Sequence, residues 1–181
     1  MASTRPAVEA AAWAGRWLRP VAVGACLATL AFASIAQPAS PCDAPEHRAF
    51  DFWLGRWDVS LPDGRAAGTN RIELAAGRCA LVEQWQGAAG YVGTSLNWYD
   101  SADRRWHQVW IDGRGDSLVL VGGREGERMV LASPPMPGDP TRQRIAWTPQ
   151  ADGSVRQHWE TSDDAGATWR TVFDGRYVRR P

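Results

Sequence analysis

The chain contains no lysine: all 20 basic residues are arginine, set against 20 acids, and the formal charge is zero. Without lysine, Schiff-base chemistry through a lysine side-chain amine is excluded. Without an excess of either sign there is no electrostatic footprint for nucleic acid or an anionic lipid surface. Cysteine and histidine are scarce, three of each, and so scattered that no metal site is expected. Helical periodicity is missing as well, since no ten-residue stretch beyond Val59 carries it. Long apolar runs reduce to one, Val21 to Ile35, too short for a comfortable membrane span.

That run follows Arg5, Arg16 and Arg19 and ends in Ser34-Ile35-Ala36, the small residues a signal peptidase reads. Residues 1–36 are therefore read as a signal peptide and 37–181 as a single domain, with Ala31-Phe32-Ala33 as the second candidate cut. Trp13 and Trp17 make this leader long, and a start downstream of Met1 is the alternative. Cys26 has too little apolar sequence before it for a lipoprotein box, so no membrane anchor is expected. Cleavage removes three Arg and one Glu, leaving a formal charge of −2 in a periplasmic or secreted chain. Cys42 and Cys79 remain. In an oxidising compartment such a pair reads as a disulfide, closing a loop worth roughly 3–4 kcal/mol; two buried free thiols are the alternative.

What is present is organised around Phe50-Asp51-Phe52-Trp53-Leu54-Gly55-Arg56-Trp57-Asp58-Val59. Phe50, Trp53, Leu54 and Trp57 fall on one helical face, with Asp43 or Pro45 as the start and Gly55 as the stop. From Arg56 the period becomes two. The spacing predicts a short helix that lies across the end of a β-structure and delivers its first strand. Turn signals then recur every eight to twelve residues, separating strands at Thr69–Leu74, Cys79–Gln86, Val92–Tyr99, Arg105–Asp112, Ser117–Gly122, Met129–Ser133, Arg142–Thr148, Val155–Thr161 and Trp169–Arg179. Short links make neighbours antiparallel, and a meander of about ten strands closes on itself to remove its edges. The expected fold is an all-β, up-and-down barrel; a two-sheet sandwich is the competitor.

Three strands carry a polar residue two places before a tryptophan: Glu83 and Trp85, Gln108 and Trp110, Gln157 and Trp159. Period two puts each pair on one face. A four-residue turn Ser101–Arg104 would set Asn97 opposite Gln108 and Ser95 opposite Trp110, adding Ser95 and Asn97 to that face. An inward face of indoles, amides and one carboxylate matches a pocket for a small apolar or aromatic molecule. The competing reading is that these tryptophans only pack, and a one-residue slip in parity turns the face outward. Glu83 among the rings is also a weak candidate acid or base, with its pKa raised by burial. His107 reads as a hydrogen-bonded core or rim residue and His47 as exposed; His158 is a haem ligand only if its face holds a pocket. Asp100, Asp112 and Asp116 read as turn formers. Ser162-Asp163-Asp164-Ala165-Gly166-Ala167-Thr168-Trp169 matches the Asp-box, in which Ser162 and Asp164 cap backbone N–H groups, Gly166 takes the strained position and Trp169 packs beneath. A single copy is a turn.

These stations together resemble a family of secreted bacterial proteins known only as a domain of unknown function. The matching segments are Phe50–Val59, Gly77–Trp85, Gly93–Asp100, Trp106–Asp112, Trp147-Thr148-Pro149, Gly153–Glu160 and the Asp-box. The resemblance implies no activity. A wider likeness joins the chain to the calycins, the lipocalin and fatty-acid-binding barrels, through Gly55-Arg56-Trp57 at the first strand. That likeness implies an arginine from the last strand, Arg176 or Arg179, stacked over Trp57. Haem-holding calycins carry a glycine-rich extension that is absent after Trp57, so no cofactor is expected. An oligomeric state is not legible.

Overall fold

The computed structural model describes residues 40–181. The signal-peptide and lipidation expectations fall on residues outside that span. The first elements are a helix α1 (Pro45–Arg48) and a 3₁₀ turn (Asp51–Trp53). Strands β1 (Gly55–Ser60), β2 (Ala66–Ala75), β3 (Ala80–Gly87), β4 (Val92–Asp100) and β5 (Arg105–Asp112) follow. Then come β6 (Ser117–Glu125), β7 (Arg128–Ala132), β8 (Arg142–Pro149), β9 (Val155–Ser162) and β10 (Arg170–Arg179). Each strand pairs antiparallel with its sequence neighbours, and β1 pairs with β10, closing a ten-stranded barrel. No strand crosses over another, so the sandwich is excluded. Between β4 and β5 the register sets Ser95 opposite Trp110, Asn97 opposite Gln108 and Tyr99 opposite Trp106, as the four-residue turn requires.

The N-terminal segment is more broken than a single helical face suggests. Pro45 does open α1, but Asp43 caps no helix; it accepts from Ser40 N (2.9 Å) and Arg78 Nε (3.1 Å) instead. The helix stops by Ala49, and Trp57 belongs to β1. Gly55 is a strand residue held at φ +134°, where a Cβ would come within 2.4 Å of Arg179 Nη1. It leaves the space through which the last strand locks the first. Arg179 lies 4.3 Å over the Trp57 ring and donates to the Leu54 carbonyl (2.5 Å). Arg176 does not take that place; it pairs with Asp152 at 2.6 Å.

Tryptophans drive the closure of one end. Phe50 stacks on Trp53 (5.0 Å between centroids) and meets Trp106 and Trp147 edge-on. Trp57 donates through Nε1 to the Trp53 carbonyl (2.9 Å), and Trp106 to the Glu46 carbonyl (3.1 Å). Leu81, Leu120, Met129, Leu131 and Tyr177 complete this fully buried plug. Each aromatic pair adds about 0.5–1.5 kcal/mol beyond the area it buries. Cys42 and Cys79 form a disulfide that fastens the start of this segment beside the β2–β3 turn.

The Asp-box closes the β9–β10 hairpin as a local network. Asp164 accepts from Thr168 N (2.8 Å) and Thr168 Oγ1 (2.6 Å), while Ser162 Oγ accepts from Gly166 N (2.8 Å). Trp169 folds back to donate to the Gly166 carbonyl (3.0 Å), and Arg144 covers its ring at 4.0 Å.

Candidate functional site

Above the aromatic plug the barrel is hollow. A cavity of about 250 Å³ remains, and Trp147 and Tyr177, shared with the plug, form its floor. Trp85, Trp110 and Trp159 line it together with Glu83, Gln108 and Gln157, so the three polar-x-Trp pairs all face inward. The opposite parity faces solvent, with Ile111 and Val172 each nearly half exposed. Gly93 makes room for one wall: a Cβ there would lie 2.0 Å from Trp110 Cζ2. Trp159 is fixed by donating to Gln143 Oε1 (2.6 Å), and Trp85 meets Phe173 edge-on. Exposed Ala88 and Ala89 and the β3–β4 hairpin residue Tyr91 form the mouth.

Glu83 is the chemical centre of the floor and is almost fully buried. Its Oε1 accepts from Asn70 Nδ2 and its Oε2 from Ser95 Oγ, each at 2.6 Å. Burial pushes the Glu83 carboxyl up to about 7, against the opposing effect of those two donors. The donors form a directed chain. Gln108 Nε2 donates to Asn97 Oδ1 (2.7 Å), Asn97 Nδ2 to Ser95 Oγ (2.8 Å), and Ser95 to Glu83. On the other side the Tyr177 hydroxyl donates to Gln157 Oε1 and lies 3.5 Å from Asn70 Nδ2. Burial, then the charge of Glu83, raises the Tyr177 phenol far above its ordinary value, so it stays neutral. The buried Asn70 Oδ1 has no partner among the described residues.

Ser95 and Asn97 point inward as their register requires, but they lie behind Glu83 and do not line the cavity. They orient the carboxylate; they are not contact positions. Asn70, Tyr91, Phe173 and Tyr177 were not singled out by the sequence reading. Asn70 pairs with Trp85 across β2–β3 and was recoverable from that register. Phe173 sits beside a bulge in β10, which breaks the alternation that would have revealed it.

None of the three histidines lines the cavity. His47 is half-buried, edge-on to Tyr99 (5.0 Å) and 3.4 Å from Ser101 Oγ, which corrects the expectation of an exposed side chain. His107 stacks flat on Trp98 outside the barrel with Nε2 2.9 Å from Asp103, and His158 reaches Thr171 Oγ1 at 3.0 Å. A histidine-held haem in this cavity therefore lacks its ligand. Asp100, Asp103 and His107 bring ligand atoms within 4.8 Å of one another, but turn N–H groups of Ala102 and Arg105 and the His107 pair already occupy them. Asp112 acts at the cavity mouth. Burial opposes its charge, yet donation from Arg114 N, Asp116 N and the Tyr91 hydroxyl (3.0 Å) holds its carboxyl below the usual range. The turn residue thereby anchors Tyr91.

Compared with protein-family models and with curated proteins, the chain matches none. The fold and the cavity must carry the functional reading by themselves. They define a closed antiparallel barrel with one plugged and one open end.

Proposed function

We propose that the mature chain is a secreted or periplasmic, calycin-like barrel that binds a small apolar or aromatic molecule against Trp85, Trp110 and Trp159. The observation that carries this reading is the cavity of about 250 Å³ on the indole side of the sheet, with Glu83, Gln108 and Gln157 as sparse polar anchors. A dry apolar cavity of about 150 Å³ already accommodates benzene in another protein, so the space here suits a substituted ring. Gln108 Oε1 and Gln157 Nε2 have no protein partner among the described residues and are free to orient a guest. The Cys42–Cys79 disulfide supports an oxidising compartment, and Arg179 over Trp57 supports the calycin likeness.

Calorimetric titration with tert-butylbenzene tests the reading. Saturable one-to-one binding, weakened by Trp110→Leu, is the expected result. A folded protein that takes up no such probe, and retains no small molecule in native mass spectrometry after secretion, leaves only a packing module. A second reading assigns Glu83 to proton transfer in an enzyme, and its support is the carboxyl raised to about 7 at the cavity floor. Among the described residues no histidine, cysteine or arginine lines the cavity to act with it, which places binding ahead of catalysis.

A further inference from the structure

The charge inventory of the cavity narrows what it takes, on the premise that it binds a small molecule at all. Its wall is aromatic, aliphatic and amide, and Glu83 carries the only carboxyl among the described residues that line it. That carboxylate has no cationic partner among the described residues. Asn70 on β2 and Ser95 on β4 face it and are uncharged, and Tyr177 on β10 carries a neutral phenol. The β2 neighbours Arg71 and Glu73 face outward, where Arg71 pairs with Gln84 (2.5 Å) and Glu73 (3.4 Å). At the mouth Arg114 is paired with Asp112 at 3.3 Å and with Asp116 at 3.9 Å, so the rim holds no excess of positive charge over the opening.

We propose that the cavity selects a small organic cation, an ammonium carrying an aromatic or branched apolar body. Its head lies among the indoles of Trp85, Trp110 and Trp159 and against the Glu83 carboxylate. A buried carboxylate without a counter-charge is costly, and the ligand supplies the charge that the chain withholds. Indole rings attract a desolvated cation through their quadrupole. Each Glu83 oxygen accepts one hydrogen bond and keeps a lone-pair site for a guest. A metal ion is the poorer match, because hard cations need several oxygen ligands and the wall offers one carboxylate. Burial sets the free carboxyl near 7, so a bound cation draws the proton off it.

The test compares phenyltrimethylammonium with its neutral isostere tert-butylbenzene by calorimetry. The quaternary probe keeps its charge at every pH. The expected result is at least tenfold tighter binding of the cation at pH 8, weakening about tenfold per pH unit below pH 7 as Glu83 holds its proton. Glu83→Gln abolishes the pH dependence and at least tenfold of the preference, leaving only the indoles' attraction, while tert-butylbenzene still binds. The wild-type pH profile stands by itself if that variant fails to fold. Equal or tighter binding of tert-butylbenzene, or a preference undiminished by Glu83→Gln, overturns the cation proposal and leaves the binding reading intact. Binding of neither probe by folded protein overturns both.

Discussion

Glu83 makes stability depend on pH in a window of its own. In the unfolded chain its carboxyl releases a proton near 4.5, whereas the folded protein holds it to about 7. Below pH 4.5 both states are protonated and no charge is buried, so ionisation of Glu83 costs nothing. Between the two values the folded chain binds one more proton, so stability falls as pH rises, by about 1.4 kcal/mol per unit. Above pH 7 both states are ionised and the loss is complete. The two values together give a loss of about 3 kcal/mol. Asp152 and Asp164 act in the opposite sense and elsewhere. Their carboxyls are held at about 2 by hydrogen bonds, from Ser154 and from Thr168, so their contributions are present above 3.8 and lost towards pH 2. The assay is urea denaturation of wild type and Glu83→Gln from pH 5 to pH 8. The variant keeps the side-chain shape, and the Ser95 hydroxyl can turn to accept from the new amide. Wild type should lose about 2–3 kcal/mol relative to the variant across that range, since the first part of the loss falls below pH 5; parallel curves would refute the assignment of a raised carboxyl at this depth.

Four further outcomes are expected. Replacing Cys42 and Cys79 together with serine should cost roughly 3–4 kcal/mol in denaturant, given the 37-residue separation they close; an unchanged midpoint counts against a formed bond. Gly55→Ala places a Cβ at φ +134° and against Arg179, so thermal denaturation should show a loss of about 1–3 kcal/mol. Arg179→Leu removes the cation over Trp57 and should cost about 0.5–2 kcal/mol with a change in indole fluorescence, while Arg176→Leu leaves that fluorescence unchanged. Gly93→Ala should displace the Trp110 ring, altering near-ultraviolet circular dichroism and weakening tert-butylbenzene binding without unfolding the barrel.

Much of this architecture is written in period two. Polar-x-Trp triplets on β3, β5 and β9 declare one face, and the Ser101–Arg104 turn fixes which β4 residues share it. Depth along the strand is what alternation does not encode. Ser95 and Trp110 are direct partners on the same face, yet Ser95 is sealed behind Glu83 while Trp110 stands in the cavity wall. That difference arises from the neighbours on other strands, Glu83 in front of Ser95 among them, which no local pattern carries. Phe173 escaped notice because the β10 bulge shifts its parity. The helix before β1 was legible as an apolar face but not as two short turns, because Phe50 and Trp53 satisfy the same spacing whether the backbone is one helix or a broken one.

The placement of Glu83 argues for use and against mere packing. A barrel plugged by Phe50, Trp53, Trp57, Trp106 and Trp147 has an ample apolar core below the cavity. A leucine at the Glu83 position would satisfy that core, and replacing buried ionic groups by apolar ones is often neutral or stabilising. Instead the chain carries a carboxyl that costs about 3 kcal/mol at neutral pH. Asn70, Ser95, Asn97 and Gln108 are aligned to receive its charge. Apolar replacement of one member alone would strand the others as buried polar groups, so the row persists only as a unit. A unit that weakens the fold and opens onto a cavity is physically accounted for if something in that cavity engages it. The same reasoning predicts that Glu83→Leu combined with Asn70→Leu and Ser95→Ala yields a more stable protein at pH 8 that binds no cation. Failure of that triple variant to gain stability would show that the carboxylate row is needed by the barrel itself.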